Sequence, residues 1–392
     1  MRVALNVEQL LQRPPGGIGR YAAELARLLP RSGPGSGSGD GSGDGVEVVP
    51  FVARHRRRTI EAALGGFGLS ELDPVRLSLP RPMLYDTWNL LGAPPLGLLH
   101  RSLRGIDLVH APSLAVPPSS GVPLIVTAHD AAALVFPETY TRRGRWFHER
   151  GSMAAAKRAD IVIAPTLAAA DEITSRTPIP MEKIRIVPHG VAQITVGDGL
   201  VAATRAALGV GDDPYVLWVG TLEPRKNLPV LIEAFGAVVR AGDLPHRLVI
   251  VGSAGWLDTA DAIREPAREL GDRICFTGPI RADRLVALYH GADLLAFPSL
   301  HEGFGLPVLE AMAQETAVLS SDIPVLQEVG GDAARYLPPT DVTAWGDALV
   351  ELLRDDAERG RLARAGRARA DDFTWERCIE RTKAVYREVL GT

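Results

Sequence analysis

The chain has 392 residues, 46% hydrophobic and 23% charged, which is typical of a globular protein large enough for two domains. Its net charge of −4 gives no general attraction to nucleic acid or to an anionic membrane. Two cysteines, without a CxxC motif or a His/Cys cluster at metal spacing, predict neither a disulfide framework nor a metal site. No signal peptide or membrane span is recognisable, so we expect a cytoplasmic protein.

Short apolar runs alternate with helical patterns along the chain, and this alternation is typical of parallel α/β layers. Helical spacing is clearest over 20–29 and 228–239. We predict six strands in each half of the chain: Arg2–Val7, Val46–Val52, Asp107–His110, Leu124–Ala128, Ile161–Ala164 and Ile184–Val187, then Tyr215–Val219, Arg247–Val251, Ile274–Phe276, Leu294–Phe297, Ala317–Ser320 and Ala334–Leu337.

These two series predict two doubly wound domains. We expect an N-terminal domain over 1–193, a linker over 194–213, a second domain over 214–372 and a final helix over 373–392 that can cross back to the first domain. The Gly/Ser/Asp stretch 32–45 cannot bury apolar surface and predicts a solvated loop. In doubly wound sheets ligands bind beyond the carboxyl ends of the strands, so residues that follow strands are the functional candidates.

The strongest functional pattern is PSLHEGFGLPVLEAMA over 298–313, directly after a predicted strand. A helix is predicted to begin near Leu306, with Pro307 in its first turn, and N–H groups at a helix start attract phosphate. Glu302 and Glu310 flank this turn, and carboxylates accept hydrogen bonds from sugar and ribose hydroxyls. The alternative is an ordinary connection in which both carboxylates are solvated.

A second pattern, GTLEPRKN over 220–227, also follows a predicted strand. Arg225 and Lys226 lie just beyond the strand end, where two cations can neutralise a diphosphate. Asn227 can cap the next helix. A basic surface turn is the alternative.

Weaker candidates follow other strands. His129 ends the run LIVTAHD and can contact a sugar or exchange protons near neutral pH, or be satisfied by local backbone. Gly16 and Gly17, in the segment PPGGIGRY, would let a ligand approach the backbone. That segment is not GxGxxG, so it does not match a nicotinamide fingerprint. Gly252 also follows a predicted strand, and it is a candidate because a glycine there would let a ligand approach the backbone.

The string EGFGLPVLEAMA, with Glu302 and Glu310 at its two acidic positions, resembles the signature of the family-four retaining glycosyltransferases. The resemblance implies the GT-B fold, in which two Rossmann-like domains face each other across a cleft. It also implies a metal-independent enzyme without a cofactor that takes a sugar from a nucleotide-diphosphate donor. In this family the second Glu, here Glu310, binds the nucleotide ribose, and the first, here Glu302, contacts the donor sugar.

The resemblance assigns roles to the remaining candidates. Arg225 and Lys226 would hold the donor diphosphate, and His129 would face the donor sugar. The loop at Gly16 and Gly17 would approach the donor phosphates and the acceptor. Backbone near Gly252 would read the nucleobase. The residues at the predicted helix start would contact the donor: Gly303, Phe304, Gly305 and Leu306.

The strand end at His129 and Asp130 and the turn GTLEPRKN look most like those of mannosyltransferase-type members, and this resemblance favours GDP-mannose over a UDP-sugar or dTDP-rhamnose. A growing polysaccharide or lipid-linked glycan is the expected acceptor, and no nucleic acid partner is expected. The basic run 54–58 can touch phospholipid headgroups or simply be solvated, so peripheral contact with the inner face of the membrane is a further expectation.

Other functions stay open at this point. A phosphorylase of the same fold would need phosphate as co-substrate, and the relevant epimerases lack the string EGFGLPVLEAMA. A non-catalytic sugar-nucleotide-binding scaffold would not need all the candidate residues intact. A nicotinamide oxidoreductase is disfavoured by the missing GxGxxG.

Overall fold

The computed structural model describes residues 1–12, 16–30, 45–118, 120–253 and 267–392. The chain divides into two units, each built around its own parallel sheet. The first unit consists of Met1–Gly190 and Trp375–Thr392, and the second of Val191–Thr374. The stretch predicted as a surface loop, 32–45, lies outside the described residues except for Gly45.

The first sheet has seven strands in the order β3-β2-β1-β4-β5-β6-β7, and neighbouring strands pair in parallel. The strands are β1 (Arg2–Asn6), β2 (Glu47–Val52), β3 (Val75–Arg76), β4 (Leu108–Ala111), β5 (Leu124–Thr127), β6 (Ile161–Ala164) and β7 (Ile184–Ile186). The strand order reverses between β1 and β4. This reversal is the point at which doubly wound sheets bind ligands.

Helices cover both faces of this sheet. The α-helices of the first unit are Gly16–Leu28, Arg57–Gly66, Arg81–Leu91, Leu96–Leu99, Ala132–Val135, Arg142–Arg158, Leu167–Arg176 and Trp375–Leu390. Hydroxyl caps fix two of these helix starts, since Thr141 accepts from the Gly144 N–H at 3.1 Å and Thr166 from the Ala169 N–H at 3.0 Å.

The second sheet has six strands in the order β10-β9-β8-β11-β12-β13, again paired in parallel. The strands are β8 (Tyr215–Val219), β9 (Arg247–Val251), β10 (Ile274–Gly278), β11 (Leu294–Phe297), β12 (Ala317–Ser321) and β13 (Arg335–Leu337). Among the described residues, the second unit has the α-helices Asp198–Leu208, Leu228–Ala241, Ala282–His290, Leu306–Ala313, Pro324–Gly330, Val342–Arg354 and Asp356–Ala370. The order reverses between β8 and β11.

All twelve predicted strands are confirmed: four have the predicted bounds, and the ends of the other eight differ by at most two residues. The sequence prediction missed β3, because a strand of two residues leaves no periodic pattern. The predicted helix over 20–29 begins earlier, at Gly16, so Gly16 and Gly17 are its first two residues and not a loop before it.

The segment predicted as a linker, 194–213, contains the helix Asp198–Leu208, which belongs to the second unit. Val201, Thr204 and Leu208 recur at helical spacing, and their side chains are partly or fully buried. The sequence prediction missed this helix because glycine and aspartate residues flank both of its ends.

The last helix, Trp375–Leu390, belongs to the first unit. Its buried side chains Trp375, Ile379 and Tyr386 recur every three or four residues and join the core that includes the helix Gly16–Leu28. In the described residues, no helix is both long and apolar enough to cross a membrane.

Candidate active site

The loops after β8 and β11 meet at the strand-order reversal of the second sheet. Lys226 follows β8, Glu302 follows β11, and the Lys226 Nζ lies 2.5 Å from the Glu302 Oε1. Both residues are buried, at 8% and 7% exposure. The structure therefore brings together two candidates that lie 76 positions apart in the sequence.

Arg225 ties the same two loops together. Its guanidinium lies 2.7 Å from the Glu223 carboxylate and 3.8 Å from the Glu302 carboxylate. It also donates to the His301 carbonyl at 2.9 Å, and the Arg225 carbonyl accepts from the Leu300 N–H at 2.8 Å. The guanidinium is partly buried, and because it is held at several points it is preorganised: little rotamer freedom is left to lose on binding a ligand.

The charges of the four side chains in this cluster sum to zero. Arg225 and Lys226 are the two cations, and Glu223 and Glu302 are the two carboxylates. Burial alone would raise the pKa of the Glu302 carboxyl, but Lys226 and Arg225 outweigh it and hold that pKa below its ordinary value. Glu302 is therefore ionised at neutral pH. The alternative in which Glu302 is a solvated loop residue is wrong.

Glu310 lies in the helix Leu306–Ala313, which begins where the sequence predicted. Its side chain is half-buried and accepts a hydrogen bond from the Tyr289 hydroxyl at 2.9 Å. Tyr289 comes from the preceding helix, Ala282–His290. Sequence reasoning missed Tyr289, because no motif marks a tyrosine 21 positions before its partner.

The turn before this helix is shaped by Gly305, which has a φ of +89°. A Cβ at that position would lie 2.4 Å from the Leu326 side chain, so only glycine fits. Gly303 precedes it in the loop, and Leu306 is the first helical residue. The Phe304 side chain is buried in the core of the second unit, so it does not face a ligand.

The predicted helix cap at Asn227 is corrected by the structure. Asn227 precedes the helix Leu228–Ala241 but has a left-handed φ of +54°, and its side chain makes no capping bond. Its amide instead donates to the Pro339 carbonyl at 2.6 Å. The side chain thus fastens the loop to a neighbouring turn.

Gly252, a candidate for reading a nucleobase, follows β9. Its φ is +152°, and a Cβ there would lie 1.7 Å from the Gly220 carbonyl oxygen. The glycine is needed for this close approach of two backbone segments. That packing explains the residue without a ligand.

His129, in the first unit, has partners at both ring nitrogens. The Nε2 donates to the Pro112 carbonyl at 3.1 Å, which leaves Nδ1 to accept from His189 Nε2 at 3.1 Å. Burial lowers the pKa of His129, although the Pro112 carbonyl and Asp130 oppose the shift. Both nitrogens of this neutral ring already have hydrogen-bond partners. One of these hydrogen bonds must therefore break before a ring nitrogen can bind a sugar hydroxyl directly.

A buried hydrogen-bonded group that sequence reasoning missed lies beside His129. His110, on β4, contacts the Tyr386 hydroxyl at 2.7 Å and the Thr127 hydroxyl at 2.9 Å, and Tyr21 contacts the same Thr127 oxygen at 3.2 Å. Burial lowers the pKa of His110 to about 3, and His129 acts in the same direction. His110 is buried because every residue of β4 is buried, but nothing in the sequence shows which partners it has.

The basic run 54–58 is only partly free to meet a ligand. His55 Nε2 lies 2.6 Å from the buried Glu8 carboxylate, and Arg57 pairs with Glu61 at 2.8 Å. Arg54 and Arg58 are exposed. In the described residues, no group of three or more His, Cys, Asp or Glu side chains could hold a metal ion.

Comparison with known proteins identifies the family. The model "Glycosyltransferase Family 4" matches residues 15–192, and "Glycosyl transferases group 1" matches 202–369. A D-inositol 3-phosphate glycosyltransferase from Xylanimonas cellulosilytica is 30% identical over 95% of this chain and 91% of its own. The chain belongs to glycosyltransferase family 4.

Other relatives of this family 4 chain match over shorter regions. A D-inositol 3-phosphate glycosyltransferase from Nocardia farcinica is 34% identical over 66% of the chain but 60% of its own length. The O-antigen chain mannosyltransferase B of Escherichia coli is 35% identical over 44% of the chain and 45% of its own length. The chain therefore spans less than two thirds of these two relatives.

Solved structures agree on the fold. Sucrose-phosphate synthase from Thermosynechococcus elongatus superposes with a TM-score of 0.71 at 21% identity, covering 100% of this chain and 99% of the other. HepE from Anabaena, in complex with UDP and glucose, gives 0.72 at 18% identity, covering 99% and 100%. These likenesses support the predicted GT-B class for the family 4 chain.

Proposed function

We propose that this protein is a retaining glycosyltransferase that moves a hexosyl group from a nucleotide-diphosphate sugar to a glycan or lipid-linked acceptor. The observation that carries the proposal is the buried Lys226–Glu302 pair with Arg225 beside it, at the strand-order reversal of the second sheet. Family 4 membership supports it.

Arg225 and Lys226 hold the diphosphate and stabilise the negative charge that develops on it as the sugar leaves. Fixed cations in a buried site are effective in this role because they need no reorganisation during the reaction. We propose that they replace a metal ion in it. The Lys226 ammonium has three N–H donors, and one of them is used by Glu302. A phosphate oxygen can therefore accept a hydrogen bond from the same ammonium group.

The two glutamates bind hydroxyl groups. Glu310 accepts from the ribose hydroxyls, held in position by Tyr289, and Glu302 accepts from hydroxyls of the donor sugar. Glu302 is already committed to Lys226, so it acts as a binding group and not as a nucleophile. Contact of His129 with the donor sugar stays a prediction.

In the reaction, the bond between the anomeric carbon and the diphosphate oxygen breaks, leaving an oxocarbenium-like sugar. The acceptor hydroxyl oxygen forms its bond to that carbon on the face the diphosphate leaves. The acceptor proton passes to the departing phosphate oxygen. The product therefore keeps the anomeric configuration of the donor.

Donor binding is the first test. Thermal stability is measured with EDTA and with GDP-mannose, UDP-glucose, UDP-GlcNAc, dTDP-rhamnose or NADH. We expect stabilisation by one nucleotide sugar, GDP-mannose being our first candidate, and loss of that shift in Glu310→Ala. Glu315→Ala, an exposed carboxylate just beyond the same helix, is the matched control. A shift with NADH alone would overturn the proposal.

Transfer is the second test. The donor that stabilises the protein is supplied with a lipid-linked glycan, a polysaccharide fragment or D-inositol 3-phosphate, the last because relatives carry that name. The anomeric coupling constant of the product, measured by NMR, should match that of the donor. An inverted product would contradict the mechanism, and donor binding without transfer to any acceptor would favour the scaffold alternative.

A further inference from the structure

The charged cluster beyond β8 and β11 contains four side chains that differ in exposure. Exposure falls in the order Arg225 (14%), Lys226 (11%), Glu302 (8%) and Glu223 (4%). Arg225 is therefore the most accessible of the four to a ligand, and Glu223 is the least accessible. The proposed reaction uses the other three side chains, whereas Glu223 has no part in it.

The carboxylate of Glu223 is dedicated to Arg225. Its Oε1 lies 2.7 Å from the Arg225 Nη2. Its Oε2 is buried and has no hydrogen-bond partner in the described part of the chain. Glu223 therefore does not hold another element of the fold in place through its carboxylate. A role in packing alone would not require a charged group, because burying a charge costs free energy of desolvation.

The local backbone holds Glu223 and Arg225 in place. A residue before a proline is restricted to extended conformations, and Glu223, before Pro224, has a φ of −131° and a ψ of 151°. Pro224–Lys226 then forms one turn of 3₁₀ helix, in which the Lys226 N–H donates to the Glu223 carbonyl at 3.0 Å. Because the ion pair forms within one rigid turn, little conformational entropy is lost in making it.

The two carboxylates of the cluster have different relations to Arg225. Glu302 lies 3.8 Å from the Arg225 Nη1, which is beyond hydrogen-bonding distance, and 2.5 Å from the Lys226 Nζ. In the proposed reaction, Glu302 also accepts from hydroxyls of the donor sugar. Glu223 is therefore the carboxylate that can hold the guanidinium while Glu302 binds the sugar.

We propose that Glu223 is a positioning residue for the transfer reaction. It fixes the orientation of the Arg225 guanidinium at the leaving diphosphate and contacts no ligand itself. The inference rests on the proposed function, in which Arg225 stabilises the diphosphate. A cation held in one orientation needs no reorganisation as negative charge develops, so a guanidinium that rotates more freely is a weaker stabiliser.

The first test measures the order of the Arg225 guanidinium without donor or acceptor. Rotation about its Nε–Cζ bond is followed by side-chain NMR, and Arg225→Ala assigns the signal. Glu223→Gln should speed the rotation by about tenfold or more, because a charge-assisted hydrogen bond is lost. The matched control Glu351→Gln breaks an exposed pair with Arg335 at 2.8 Å and should leave the Arg225 signal unchanged. Unchanged rotation in Glu223→Gln would overturn the proposal.

The second test asks whether Glu223 acts through Arg225. At saturating donor, Glu223→Gln should lower kcat by about tenfold in the wild-type background, because the guanidinium is misplaced. In the Arg225→Ala background the same substitution should lower kcat by less than about twofold, since nothing is left to position. An equal loss in both backgrounds would mean that Glu223 acts by itself. That result, or a wild-type kcat for Glu223→Gln, would overturn the proposal.

Urea unfolding verifies that each variant is folded. If Glu223→Gln does not fold, Glu223→Asp takes its place, because it keeps the charge but withdraws it by one methylene group. Faster rotation of Arg225 and a lower kcat are expected of it as well.

The two tests separate this inference from the proposed function. If the wild-type protein binds no nucleotide sugar, the proposed function fails, and the rotation measurement still decides whether Glu223 orders Arg225. If the wild-type protein transfers sugar but neither rotation nor kcat responds to the substitutions at Glu223, the positioning role alone is wrong.

Discussion

The carboxyl edges of the two sheets offer opposite chemistry on the same scaffold. At the second sheet, the buried Lys226 pairs with the buried Glu302, and the partly buried Arg225 lies beside them. At the first sheet, His110 and His129 are buried or half-buried and hydrogen-bonded as neutral rings. The fold therefore determines where a site can lie, and the residues that follow each strand determine whether it suits phosphate or hydroxyl groups.

The ion pairs at the second sheet and the neutral histidines at the first sheet are stabilised in different ways. A buried ion pair is stable only while both partners are present, whereas a buried neutral imidazole is stable only while it stays unprotonated. The two edges should therefore respond differently to substitution and to pH. The following predictions test that difference.

The largest effect is expected from breaking the pair in the second sheet. Lys226→Met leaves the Glu302 carboxylate buried without its partner and should lower the free energy of unfolding by about 3–5 kcal/mol. Adding Glu302→Gln to the same variant should recover most of that loss. Both are measured by urea unfolding.

The exposed pair Arg57–Glu61, with side chains 81% and 59% exposed, is the control. Arg57→Met should change stability by less than about 1 kcal/mol. If the Lys226 variant is no less stable than this control, the buried pair does not stabilise the second unit.

Arg225 should matter for turnover. In the proposed mechanism, Arg225→Ala removes a preorganised cation from the leaving diphosphate, and we expect it to lower kcat by about 10²–10³-fold. The initial rate is measured at saturating donor, with Arg281→Ala, an exposed arginine paired with Asp283, as the control. A kcat within a factor of about two of wild type would remove Arg225 from the mechanism.

The first unit should be acid-sensitive. Burial lowers the pKa of His110 to about 3 from 6.5, so the unfolded chain takes up a proton that the folded chain does not. Stability should therefore fall as pH drops below about 6.5, by about 1.4 kcal/mol per pH unit for such a histidine. Glu302 has a dependence of the same sign at lower pH: its stabilisation is present above its ordinary pKa of 4.5 and is lost as pH falls through the lower folded value.

The measurement is urea unfolding between about pH 7.5 and about pH 5.5, a range chosen to bracket the ordinary histidine pKa. His110→Gln should flatten the decline, while His290→Gln, at an exposed histidine, should not. An identical pH dependence in wild type and His110→Gln would show that His110 is not the titrating group.

The smallest effect is expected at Tyr289. Tyr289→Phe removes the hydrogen bond to Glu310 and should weaken donor binding by about 0.5–1.5 kcal/mol, while Glu310→Gln should weaken it more. Donor Kd values for both single variants and the double variant form a cycle. If the two effects add without coupling, Tyr289 does not position Glu310.

Much of the fold could be predicted from the sequence, because strands buried on both faces leave continuous apolar runs such as β5 and β8. The helix start at Leu306 was also predictable, because a glycine and a proline mark it. The two-residue strand β3 left no such signal.

The partners of the candidate residues could not be predicted. Nothing in the sequence near Lys226 points to Glu302, because the contact depends on β8 and β11 being neighbours in the sheet. The same holds for His110 and Tyr386, which lie 276 positions apart. Residue types next to a strand end are local information, whereas pairing depends on the strand order.

The helix Trp375–Leu390 has a consequence for biosynthesis. It completes the core of the first unit, although the whole of the second unit lies between it and residue 190. A ribosome therefore produces every residue of the second unit, Val191–Thr374, before it produces Tyr386, the partner of His110. The unit that begins at the N-terminus is thus the last whose core can be completed during translation.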